Sequence, residues 1–126
     1  MKVRHLILIA SISILTSCGP ASNVYVSNRY GATDYDREII EYEMGETIPD
    51  NARKVGEIHV GDSGFSTDCG YQTVRQKLMI EVRKTGGHAV QIYEHNLPNF
   101  WSTCHSMKAY VFRLDEEVEP NTEFDN

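Results

Sequence analysis

The feature that most limits what this chain can fold into is one helix-length apolar stripe set among strand-like runs. Across Tyr71–Lys84, Val74, Leu78 and Val82 recur every four residues, with Tyr71 and Met79 flanking the stripe. That spacing builds one apolar face on a helix of 3.6 residues per turn, and it leaves Arg75, Lys77, Glu81 and Lys84 on the other side. Gly86 and Gly87 end the helix, because the left-handed backbone of a helix terminus is free of a Cβ clash only at glycine.

On either side the apolar period drops to two. Residues 38–43 and 54–60 read as strands before the helix, with Ile58 and Val60 sharing a face. Residues 89–93 and 107–114 read as strands after it, Val90 pairing with Ile92 on one face and Tyr110, Phe112 and Leu114 on another. Residues 45–51, through Pro49-Asp50-Asn51, have turn chemistry, and residues 61–70 and 96–103 are loops. This pattern predicts an α+β fold: a small mixed sheet, order β-β-α-β-β, with one helix packed on one face. The central β-α-β piece should cross over right-handed, and the last two strands should form a hairpin.

The start of the chain belongs to no such pattern. Lys2 and Arg4 precede an apolar run from Leu6 to Leu15, too short for the roughly 20 residues of a membrane-spanning helix. A basic start, a short apolar run and small residues are the marks of an export signal. Leu15-Thr16-Ser17-Cys18 then resembles the bacterial lipobox. The resemblance implies that residues 1–17 are cleaved and that Cys18 carries lipid, whose acyl chains would hold the protein on a membrane. The alternative is an ordinary signal with a coincidental cysteine. Gly19, where inner-membrane lipoproteins of enteric bacteria carry Asp, and the lack of a following acidic cluster favour the outer membrane, facing the periplasm. Residues 18–37 read as the lipidated Cys and a flexible tether with a short extended piece at Val24-Tyr25-Val26, residues 38–114 as the globular domain, and residues 115–126, with six acids and one Pro, as a disordered tail.

With Cys18 assigned to lipid, two of the three cysteines remain, Cys69 and Cys104. In an oxidising compartment they predict one disulfide, which would stabilise a small domain by about 3–4 kcal/mol. Two free thiols, or a metal pair helped by His105, are the alternatives. Removing Lys2 and Arg4 leaves 10 basic against 18 acidic residues, a net charge of −8. That balance argues against nucleic acid, which demands a basic footprint, and against electrostatic attraction to anionic headgroups.

The chemistry-bearing candidates are few. Gly61-Asp62-Ser63-Gly64 invites comparison with hydrolase nucleophile segments, but His59 lies only four residues from Ser63 with no evident orienting acid, and the Gly-x-Ser-x-Gly elbow is missing. A polar turn is the simpler account, so no catalytic residue is assigned and the chain is not expected to be an enzyme. His59, His88, His95 and His105 lack a recognised metal spacing, so neither metal nor cofactor is expected. Leu97-Pro98-Asn99-Phe100-Trp101 holds the only Trp at a predicted hairpin tip. Leu97, Phe100 and Trp101 are the candidate partner-binding residues, since aromatic anchors concentrate at interfaces; the alternative is a loop folded back over the core edge.

Val55-Gly56-Glu57-Ile58, Gly61-Asp62-Ser63, Cys69, Gly86-Gly87-His88-Ala89-Val90 and Cys104 together resemble the RcsF-like outer-membrane lipoproteins, which sense envelope stress for a phosphorelay. The likeness runs from about Ile40 to Leu114. It implies a small disulfide-bonded periplasmic domain that acts by contact with envelope proteins, in envelope maintenance or stress sensing. A metal- or small-ligand-binding lipoprotein is the alternative. Two departures stand out: the family has two disulfides where this chain has cysteines for one, and its tether is long, Pro-rich and basic where this one is short.

Overall fold

The computed structural model describes residues 19–64 and 68–115; residues 1–17, Cys18 and residues 116–126 of the acidic tail lie outside the described residues. In chain order the elements are β1 (Ala21–Val26), β2 (Ile40–Tyr42), β3 (Ala52–Gly61), α1 (Tyr71–Lys84), β4 (Ala89–Asn96) and β5 (Ser106–Leu114). The strands form one sheet in the order β1-β3-β5-β4-β2, parallel only between β2 and β4. α1 packs on one face, against β1, β3 and β5. The fold is α+β, one helix on a small mixed sheet, with the helix bounds and the final hairpin where periodicity places them.

The layout departs from expectation in three respects. First, residues 18–37 are not simply a tether: β1 pairs antiparallel with β3, from Ala21 opposite Gly61 to Val26 opposite Gly56. Residues 27–39 then dock on the C-terminal end of α1. The Thr33 N–H donates to the Arg83 carbonyl at 2.9 Å, its hydroxyl donates to the Gly87 carbonyl at 2.7 Å, and Arg83 donates to the Asp34 carbonyl at 3.0 Å. β1 escapes a pattern search because it is an edge strand, mostly exposed, on which burial imposes no alternation. Second, β3 and β4 are not neighbours. β5, last in sequence, lies between them and pairs antiparallel with both, so the β-α-β unit is split. Third, the Tyr110 and Phe112 face of β5 is turned away from the helix; Met107, Ala109 and Val111 are the buried residues beneath it.

The core follows from those faces. Val74, Leu78 and Val82 pack on Ile58, Val60, Val90, Met107, Ala109 and Val111. Each large apolar side chain so buried stabilises the fold by about 1.5–3 kcal/mol. Glu81, expected in solvent, is buried as well. It is tolerated there because the Lys77 and Lys84 ammonium groups stand 3.0 and 3.1 Å from its carboxylate. Burial pushes the Glu81 carboxyl up, but hydrogen bonding to the two lysines outweighs it and holds the group below the usual glutamate range.

Two bulges break the strand parity, between Lys54 and Gly56 and between Ile92 and Glu94. At the first, a Cβ on Gly56 would collide with the Tyr25 carbonyl oxygen, so glycine is what lets β1 lie against the bulge. At the helix terminus Gly86 takes φ +83°, the left-handed turn expected of it.

Candidate functional site

Strand polarity collects several features at one end of the sheet. β3 finishes there at Gly61, β5 starts there at Ser106, and β4 ends there at Asn96, opposite Ser106. The Cys69–Cys104 disulfide is formed at this end, with Cα atoms 5.0 Å apart and a sequence separation of 35. It joins the segment leading into α1 to the segment leading into β5, and a His105 N–H to Cys69 carbonyl bond of 3.1 Å reinforces it.

Between Asn96 and Cys104 the chain makes the predicted tip. The Asn99 side-chain oxygen accepts the Trp101 and Ser102 N–H groups, both at 2.9 Å, and the Asn99 N–H donates to the Ser102 carbonyl at 2.7 Å. An asparagine bonding the backbone two and three residues on is a self-closed turn. The Ser102 hydroxyl donates to Asp62 at 3.2 Å, tying the tip to the loop after β3. The other Asp62 oxygen accepts the Gly64 N–H at 2.8 Å, so Gly61-Asp62-Ser63-Gly64 includes an aspartate-closed turn. The tip does not fold back over the core: Leu97 is 66 % exposed, Phe100 93 % and Trp101 91 %. Phe100 and Trp101 meet edge to face, ring centres 5.5 Å apart.

Beside the tip lies a grouping that spacing did not reveal. His95, at the end of β4, and His105, just before β5, bring Nε2 and Nδ1 to 3.0 Å. Their rings are nearly coplanar, at 24° with centres 5.2 Å apart, which is the geometry of one N–H donated edge to edge. The Tyr71 ring packs against both. Among the described residues no group of three or more His, Cys, Asp or Glu side chains gathers as metal ligands would.

A second grouping occupies the sheet face opposite the helix. Glu57 and His59, two apart on β3, bond at 2.7 Å, and the Tyr93 hydroxyl of β4 donates to the same Glu57 oxygen. Tyr93 stacks on Tyr110 with centres 4.3 Å apart, Lys54 lies 4.1 Å over the Tyr110 ring, and Tyr25 of β1 meets His59 edge to face at 5.3 Å. Lys108 pairs with Glu94 at 3.1 Å. The His59 bond, then the Tyr93 bond, holds the Glu57 carboxyl below the usual range, while burial and then the Glu57 bond push the Tyr93 hydroxyl up. Both shifts oppose proton transfer near neutrality: a carboxylate occupied by two donors is a weak base and an elevated phenol a weak acid.

His59 thus has an acidic partner after all, Glu57, two residues before it on the same face of β3. Tyr93 joins them from β4, on the face opposite Val90 and Ile92, where it stacks on Tyr110. Comparison of the chain with family models, with curated proteins and with solved structures finds no match.

Proposed function

We propose that this chain is a lipid-anchored protein of the bacterial cell envelope, on the outer membrane facing the periplasm, that acts by contact with another envelope protein rather than by catalysis. The observation that carries the proposal is the helix-free sheet face, where Tyr25, Tyr93, Tyr110 and His59 are held in place by one another and by Glu57. Rigid tyrosine-rich surfaces suit protein contact, since they bury much area at little cost in side-chain entropy. The lipobox-like segment ending at Cys18 supports the anchor, and the resemblance to RcsF-like lipoproteins supports a role in envelope maintenance or stress sensing. The tip of Leu97, Phe100 and Trp101 is a separate exposed apolar surface at the end of the sheet.

The test is crosslinking in native cells followed by purification and identification of what is joined to the protein. One defined envelope protein, lost on combining Tyr25→Ala with Lys54→Ala, is the expected result. Recovery of the chain alone, carrying stoichiometric metal or small ligand, would overturn it.

A second reading is a metal-binding lipoprotein, resting on His95 and His105 standing together beside the tip; to share one copper or zinc ion the two rings would turn out of the edge-to-edge bond they make with each other. Micromolar zinc or copper binding that disappears in His105→Ala, with a matching loss of ligand-induced thermal shift, would select it.

A further inference from the structure

The two ends of a single row of residues decide where the apolar tip must sit. Ala21, the first residue of β1, pairs with Gly61. Gly61 lies against Ser106, whose Cβ is 3.0 Å from where a Gly61 Cβ would stand, and Ser106 pairs with Asn96. Chain therefore leaves this one edge of the sheet at two places: from Ala21 back through Pro20 and Gly19 to Cys18, and from Asn96 forward into the tip. With Cα atoms about 3.8 Å apart along the chain, Cys18 lies within about 11 Å of Ala21. Three strand spacings, about 14 Å, separate β1 from β4. The attachment point and the tip are thus side by side, at the same height on the molecule.

We propose that Leu97, Phe100 and Trp101 rest in the interfacial layer of the bilayer to which Cys18 is attached, a second and non-covalent membrane contact. The proposal rests on the lipid-anchored reading above and adds the occupant of the tip. Two residues of spacer leave the domain no room to stand off from the membrane, so this end of the sheet faces lipid. Residues 97–104 carry no charged side chain, and they offer one Trp, one Phe and one Leu, the side chains that settle at headgroup depth. The nearest acid of the adjoining loop, Asp62, is engaged by Gly64 and Ser102. The acidic tail departs from the opposite end of the sheet, where Leu114 pairs with Ala52 and the Asp115 N–H bonds the Asn51 carbonyl. The nine residues of β5 put that end roughly 26 Å away. The strands then stand upright on the membrane, and the tyrosine-rich face is turned sideways, open to a protein neighbour.

Trp101 is the only tryptophan, so its fluorescence reports the tip alone. The full-length mature protein is purified from membranes, its N-terminus is weighed by mass spectrometry, and it is reconstituted into vesicles of phosphatidylethanolamine and phosphatidylglycerol. Expected are an acylated Cys18, quenching of Trp101 by lipids brominated near the headgroup, and poor access for acrylamide. Phe100→Asp should restore acrylamide access several-fold, without unfolding, because Phe100 is 93 % exposed. An acylated protein whose Trp101 stays open to acrylamide on vesicles overturns the tip assignment and leaves the anchor intact. Shielding found in native envelopes but absent on protein-free vesicles gives the tip to a protein partner, and also overturns it. An unacylated Cys18 overturns the anchor itself.

Discussion

Removing the Cys69–Cys104 bridge should lower stability by about 4 kcal/mol at 25 °C, chiefly by freeing the unfolded chain. The separation of 35 residues sets the figure: closing a loop of that length removes about 13 cal/mol/K of chain entropy from the denatured ensemble. The folded state loses little by comparison, since both cysteines are 5 % exposed and the sites remain small and apolar after Cys69→Ala with Cys104→Ala. For a domain of this size, whose total stability is of order 5–15 kcal/mol, that is a large share. With a urea slope of about 1.5 kcal/mol/M, the unfolding midpoint should fall by about 2–3 M. Far-UV circular dichroism is the probe to use, because Trp101 is already 91 % exposed in the folded state and its emission will change little on unfolding. The reduced wild-type protein should match the double variant. A midpoint shift below about 0.5 M in urea, or two free thiols in the purified protein, would refute the chain-entropy account of this bridge.

The helix end and the tip supply further expectations. Gly87→Ala drives a Cβ into the Val111 side chain in the core, and should cost about 1–3 kcal/mol in urea unfolding by overpacking. Glu81→Gln should cost about 0.5–1 kcal/mol at pH 7, where the carboxylate is paired with Lys77 and Lys84. Because the folded Glu81 pKa lies below its unfolded value, that contribution is present above the ordinary glutamate range and is lost as pH falls through the folded value. Unfolding of wild type and variant should therefore converge in acid, and a gap that widens there would contradict the assignment. Asn99→Ala removes the acceptor that closes the tip turn. It should leave the global midpoint within about 0.5 kcal/mol, as expected for an exposed site, while lowering the fluorescence anisotropy of Trp101.

How much of this was legible in the chain depended on burial. α1 could be placed to the residue because Val74, Leu78 and Val82 all face one core, and burial of a stripe leaves a period in the sequence. The tip was legible as a loop, because Leu97, Phe100 and Trp101 fall in a run with Pro and Asn that no strand or helix would absorb, but its exposure was not, since the same aromatics could equally have folded back over the core edge. Of β1 only the extended Val24-Tyr25-Val26 was legible, and its pairing was not, because an exposed edge strand owes its structure to its partner, here the Gly56 bulge of β3, more than to its own residues. The interposition of β5 was hidden because strand order is a property of the assembled sheet. Both polar groupings were hidden too, since His95 and His105 are ten residues apart and Tyr93 is 36 residues from Glu57. Glu81 misled for a subtler reason, because a carboxylate is assigned to water by its type while its two lysines allow it to be buried.

That central β5 comes last among the strands has a consequence for how the sheet closes. β1 can pair with β3, and β2 with β4, before β5 is present, but no backbone ladder joins the two pairs until Ser106–Leu114 takes its place between them. Two-stranded fragments are marginal in water, and contacts this distant in sequence form slowly. The topology therefore defers closure of the sheet until the last of its five strands is in place, so the two strand pairs stay separable until then.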